Sequence, residues 1–221
     1  MTDPGHEERP GTVFIACAAL GKEVRDIVRQ NGWDVDVRVI NAKLHLYPSE
    51  IGPAVEEKLD EAGDDYGRKV VVYGHCGAMD LDGILADRGA VRPVGPHCYE
   101  MFGGETFAEA MKEEPGTFFL TDFLVKAWDS LAVKGLKMDE HPKLKKLLFA
   151  NYKRVIHFSQ VEDPDLVQRA RDIAKDIGLP FEHRHTGYGH LEERLKAIMA
   201  GEDQPTSGMT SDGYTMYPTA G

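Results

Sequence analysis

Cys17, Cys76 and Cys98 are the three cysteines of the chain, and each follows an apolar, strand-like run (residues 13–16, 70–73 and 91–94) directly or after a short turn. In an open α/β sheet, ligands bind at the carboxyl ends of the strands, so residues distant in sequence converge there. The three cysteines are therefore expected to form one site. His45, His75 and His97 lie in the same loops. Soft thiolates combined with imidazole suit zinc, other late transition metals or an iron–sulfur cluster. Cys17, Cys76, Cys98 and His45 make a tetrahedral ligand set, which leaves His97 or His75 to manage protons. No Cys-x2-Cys spacing occurs, so the case is topological rather than a motif match. A single cysteine on a strand is more often a small core residue. The local settings favour a site all the same. Cys76 lies in Gly74-His75-Cys76-Gly77, a glycine-flanked stop after a buried strand. Cys98 follows Pro93-Val94-Gly95-Pro96-His97 and opens a helix, whose N-terminal dipole lowers a thiol pKa.

The elements that must position these residues alternate along the chain. An apolar run at 13–16 is followed by Val24, Ile27 and Val28 at helical spacing, and Asn31-Gly32 stops that helix. Residues 35–40 alternate as a strand, and Ser49 is expected to cap a helix carrying Ile51, Val55 and Leu59. Residues 69–73 read as a strand buried on both faces, with 90–94 as a shorter companion. Residues 116–120 form another strand, after which Thr121 caps a helix with Phe123, Leu124, Ala127, Trp128 and Leu131.

The second half repeats the pattern. A Lys/Leu helix at 142–150 precedes a strand at 154–158, and Asp163-Pro164 starts a helix whose buried face is Leu166, Ala170, Ile173 and Ile177, stopped by Gly178. A last strand at 181–185 leads to an amphipathic helix through Leu191, Leu195, Ile198 and Met199, ending before Gly201. The alternation predicts a three-layer α/β protein, a mainly parallel sheet with helices on both faces and the site at the carboxyl ends of the strands. The expected organisation is a flexible N-terminus over 1–11, one α/β domain over 12–201 open to division into lobes at 12–115 and 116–201, and a flexible tail over 202–221. Tyr214, Met216 and Tyr217 are unusual in such a tail.

Composition narrows the function classes. At 221 residues, 42% hydrophobic and 29% charged, the chain has the make-up of a globular protein, and its net charge of −11 disfavours nucleic acid and anionic membranes as partners. No apolar run approaches the ~20 residues of a membrane span, and three cysteines are too few for a secreted disulfide framework. A cytoplasmic location with free thiols is expected. Other residues compete for attention. His183 and His185 share a strand face by alternation, and with His190 they offer a second ligand or proton-transfer group, although solvation of a polar strand end explains them as well. Asp80, Asp82 and Asp87 are candidates for a general base or for partners of a ligand, and Glu23 and Glu100 either assist a cysteine or face water. His141 and His157 read as structural. No phosphate-binding glycine motif occurs.

Taken together, Ala16-Cys17 with Glu23, Leu44-His45-x-x-Pro48, Tyr73-Gly74-x-Cys76-Gly77, Pro93 with Cys98, and Gly116-Thr117-Phe118-Phe119-Leu120-Thr121 resemble the DUF1638 family over about residues 13–200. The chain departs from relatives after Gly77, at Ala78-Met79-Asp80, and in the displacement to Phe123 or Trp128 of a Trp that often follows the Gly-Thr motif. The resemblance implies a fold, not an activity. It also implies an association with corrinoid-dependent methyltransferase components, beside which such proteins are often encoded. The function expected is that of a metal-dependent enzyme of one-carbon metabolism, of methyltransferase type, acting on a small molecule. Zinc is the metal of choice, with a three-cysteine iron–sulfur cluster as the rival. The alternative is a non-catalytic accessory protein that binds or delivers a corrinoid or metal, with His45 or His97 as a lower ligand to cobalt. Expected partners are a corrinoid protein, methyltransferase subunits or a second copy of the chain.

Overall fold

The computed structural model describes residues 11–78 and 80–202, so the expected terminal segments, Met79 and the aromatic residues of the tail lie outside the described residues. The chain divides into two compact units, 1–93 and 94–221. In the first, β1 (Thr12–Cys17), β2 (Val35–Ile40), β3 (Arg68–Val72) and β4 (Ala90–Val91) form one sheet in the order β2-β1-β3-β4. Every pairing is parallel, with Cys17 opposite Ile40 and Ala16 opposite Val72. The helices are α1 (Gly21–Gln30), α2 (Ile51–Ala62) and α3 (Leu81–Asp87). Right-handed crossovers put α1 on one face of the sheet and α2 and α3 on the other. Val13, Phe14, Ile15 and Ala16, like Val70, Val71 and Val72, are wholly buried, as strands covered on both faces must be.

The second unit holds α4 (Cys98–Glu113), β5 (Thr117–Thr121), α5 (Asp122–Trp128), α6 (Pro142–Leu148), β6 (Arg154–Ser159), α7 (Pro164–Ile177), β7 (Phe181–His185) and α8 (Gly189–Ala200). Its sheet runs β5-β6-β7, again parallel. Successive crossovers in one direction put α5 and α7 on the same face, where Leu120, Val125, Trp128, Val155 and Ala170 form a core. Phe107, Ala110, Phe119, Ile156 and Phe158 fill the opposite face beneath α4. The expected layers and parallel strands are present, with the strands divided between two sheets of four and three.

Local chemistry sets the element ends. Thr121 caps α5 by accepting from the Leu124 amide, and Asp163 caps α7 by accepting from Asp165 and Leu166, with Gly178 left-handed at the far end. Ser49 does not cap α2: Pro48–Glu50 form a 3-10 turn first, and the helix begins at Ile51 without a side-chain cap. The strand expected over 90–94 stops at Val91, because Pro93 brings no amide to the ladder.

Candidate functional site

Three loops of the first unit meet at the carboxyl edge of its sheet. In the order β2-β1-β3, the connections from β1 and β2 leave in opposite directions, and ligands of open parallel sheets bind at such a switch point, between β1 and β3. Cys17 ends β1 and is 3% exposed. Burial pushes its thiol up to about 11, against smaller downward pulls from the Ala19 amide and from Tyr73. It is therefore a neutral thiol near pH 7. Tyr73 follows β3 and stacks on His45, the ring centroids 5.7 Å apart and the planes 14° from parallel. His45 lies on the 3-10 turn Ala42–Leu46 that follows β2, and its Nδ1 donates to the Ala42 carbonyl at 2.9 Å. That bond selects the tautomer whose Nε2 carries the lone pair. Burial lowers the pKa of His45, so the ring is neutral.

Cys76 occupies a tight turn after β3. Its φ is 46° and that of Gly77 is 79°, and the Ala78 amide donates to the His75 carbonyl at 2.7 Å, the pattern of a type I′ turn. Glycine or asparagine is usual at both central positions, so a cysteine there is held in a conformation its Cβ disfavours. A side chain at Gly77 would lie 3.4 Å from Pro48, which places the His45–Pro48 segment against the Cys76 turn. His75 has a lowered pKa from desolvation and then from Arg92. Arg92 pairs with Asp82 at 2.7 Å.

Cys98 and His97 belong to the second unit. Cys98 is the first residue of α4, as expected, and His97 caps the helix by accepting the Glu100 amide on Nδ1 at 3.3 Å. Burial among Tyr99 and Phe107 pushes His97 down to about 4, so it serves as a neutral acceptor. Glu23 and Glu100 do not face water; both are buried. Glu100 pairs through both oxygens with Arg194, at 2.6 and 2.7 Å, and Arg194 also donates to the Val94 carbonyl. The pair is 2% and 1% exposed, so the ionic bonds must offset the loss of water around two charges. The arrangement ties α8 to the segment that leads into Cys98.

The second unit also contains a group that sequence reasoning passed over. Asp122 accepts from His157 Nε2 at 2.8 Å and from the amides of Gln160 and Val161. Although desolvation opposes it, these three bonds hold its carboxyl below the ordinary value. His157 is wholly buried and its Nδ1 has no hydrogen-bond partner among the described residues. Two residues further along β6, Ser159 Oγ lies 2.9 Å from His183 Nε2 and 3.0 Å from His185 Nδ1. The face shared by His183 and His185 was legible from alternation. Ser159 and His157 join them through the pairings His157 with His183 and Ser159 with His185, which no local signal announces. His190 is not part of this group; its Nδ1 faces Arg194 at 3.3 Å.

Cys17, His45 and the Cys76 turn thus gather in the first unit, while Cys98 and His97 stand in the second. Among the described residues, no three His, Cys, Asp or Glu side chains are arranged to hold a metal ion. No chemical step is assigned to zinc or to a three-cysteine cluster. Among those residues, no helix is long and apolar enough to cross a membrane.

The fold and the polar carboxyl edges define a parallel α/β protein with thiol and imidazole groups at a strand-order switch. Its sequence matches the family described as "Protein of unknown function (DUF1638)" over residues 39–195, more than half of the chain. The chain belongs to that family. The match includes His45, Cys76 and Cys98 and begins after Cys17. No curated protein and no solved structure matches the chain.

Proposed function

We propose that the protein is an enzyme of one-carbon metabolism that takes part in methyl transfer, with Cys17, His45 and Cys76 as its functional groups in the first unit and Cys98 with His97 in the second. The observation that carries this reading is the meeting of three loops at the switch point of the first sheet, where a buried thiol, a neutral imidazole and a cysteine in a left-handed turn occur together. A non-glycine residue kept in a disfavoured conformation at a ligand-binding edge is a sign of function rather than of packing. The thiols and imidazoles bind the donor or acceptor of the methyl group. A corrinoid protein or methyltransferase subunit is the partner, and the substrate is small.

Elemental analysis and methyl-transfer assays of anaerobically purified parent, Cys76→Ser and Cys98→Ser test this. Transfer to a thiol or corrinoid acceptor is expected in the parent and lost in both variants. About one zinc equivalent in the parent that falls away in both would add a metal to the reading, and a brown absorbance would make that metal an iron–sulfur cluster. Unchanged activity in both variants overturns the reading and leaves the cysteines as packing residues.

One observation favours a second reading, an accessory protein that binds or delivers a corrinoid. His45 is fixed by its backbone bond in the tautomer a lower ligand to cobalt requires. Such a protein would bind a corrinoid in titration, lose that binding in His45→Ala, and leave a methyl donor unchanged when assayed alone.

A further inference from the structure

We propose that the second unit carries a separate binding site for a small zwitterion, a free amino acid being the simplest, in the cleft between α7 and β7 that opens at the carboxyl ends of β6 and β7. A cavity of about 410 Å³ opens there between α7 and the sheet edge, lined among others by Ser159, Glu162, Gln168, Arg171, His183 and His185. That volume is in the range of small-molecule sites. Its two opposite charges make the argument. Arg171 stacks on Phe181, its guanidinium carbon 5.1 Å from the ring centre, and forms no ion pair among the described residues; the same is true of Glu162. Asp163 also lines the cavity, where its Oδ1 caps α7 by accepting from the amides of Asp165 and Leu166 and adds a second negative charge beside Glu162. A lone anion would meet Glu162 and a lone cation would meet Arg171. A molecule with both charges satisfies each, with its carboxylate on the guanidinium and its ammonium on Glu162.

The floor of the cavity is built for direction. A hydroxyl donates one hydrogen bond, so of the two imidazoles that touch Ser159 Oγ, one receives its proton and the other donates to it. Ser159 is 1% exposed, and it thereby orients both rings and couples their tautomers, one imidazole accepting at Ser159 Oγ while the other donates. Behind them, His157 is anchored on Asp122, its ring 5.5 Å from that of His183. With both rings neutral, the coupling leaves one imidazole with a donor and the other with an acceptor for whatever enters.

Saturation-transfer NMR and calorimetry with the twenty common amino acids test the site, with acetate and methylammonium as half-ligands. At least one amino acid is expected to bind about tenfold or more tightly than either half-ligand, and Arg171→Gln and Glu162→Gln are each expected to weaken it about tenfold. Both substitutions are on the surface and leave the fold intact. Ser159→Ala is expected to weaken the same ligand and to change the tautomer pattern of His183 and His185 in nitrogen NMR spectra. The proposal is overturned if no amino acid binds, if acetate or methylammonium binds as tightly as the best of them, or if binding survives Arg171→Gln and Glu162→Gln unchanged.

Discussion

At the carboxyl edge of β1 and β3, backbone groups supply much of the hold on the polar side chains: the Ala19 amide on Cys17, the Ala42 carbonyl on His45, and a type I′ turn around Cys76. In the second unit the polar side chains hold one another. Asp122 holds His157, Ser159 holds His183 and His185, and Glu100 holds Arg194. Side chains that satisfy each other rigidify a region and make it sensitive to any single deletion, because the partner left behind stays buried. Where the main chain does the holding, a deletion strands no partner side chain, and the same edge carries conformational strain at Cys76. The two units thus differ in what secures their polar side chains, main chain in one and partner side chains in the other.

The largest effect that would break this contrast is expected at Arg194. Arg194→Met removes the guanidinium from the buried Glu100 carboxylate and should cost about 3–5 kcal/mol in urea unfolding. The pair Arg194→Met with Glu100→Leu should recover most of that. A loss under ~1 kcal/mol in the single variant would mean that the ion pair does not brace the second unit.

His97 sharpens the contrast through pH. Its folded value is pushed down to about 4, while the unfolded chain titrates near 6.5. As pH falls, the unfolded state takes the proton first, so the stability His97 contributes is complete above about 6.5 and is lost progressively towards about 4. The loss is at most ~3 kcal/mol, since the ring keeps some contact with water. His97→Asn retains a capping side chain and does not titrate in this window. Its urea midpoint should fall less than that of the parent between pH 7 and 4.5, and parallel curves would contradict a buried neutral imidazole.

Cys76 gives the smallest effect and the opposite sign. Asparagine tolerates the left-handed region better than cysteine, so Cys76→Asn should raise stability by about 0.5–1 kcal/mol while abolishing methyl transfer. Cys76→Val should lower it. A Cys76→Asn variant that is less stable than the parent would show that the turn is not strained.

The alternation of strands and helices was legible because each strand is a short apolar run and each long helix has its stripe, its cap or its stop, as Asp163 and Gly178 illustrate for α7. The seven-residue α3, with Gly83 inside it, offered too little periodicity to be read. Division of the strands between two sheets was legible only as an optional split into lobes after residue 115, since 70–72 and 155–158 are equally apolar runs and pairing partners are not written locally. For the sites, the positions of Cys17, Cys76 and Cys98 after strands or their turns were foreseen from strand endings. Asp122 and His157 were not, because 35 residues separate them and only the register of β5 on β6 brings them together. Glu100 was likewise opaque: its partner Arg194 lies 94 residues away.

Strand order has a further consequence for biosynthesis. All four strands of the first sheet are contained between Thr12 and Val91, whereas β7 ends only at His185. At about 5–20 residues per second of translation, the first unit has roughly 5–20 s to collapse before the last strand leaves the ribosome. Parallel pairing is slow because its contacts are distant along the chain, and this head start lets the first sheet close without competition from similar apolar runs still to be made.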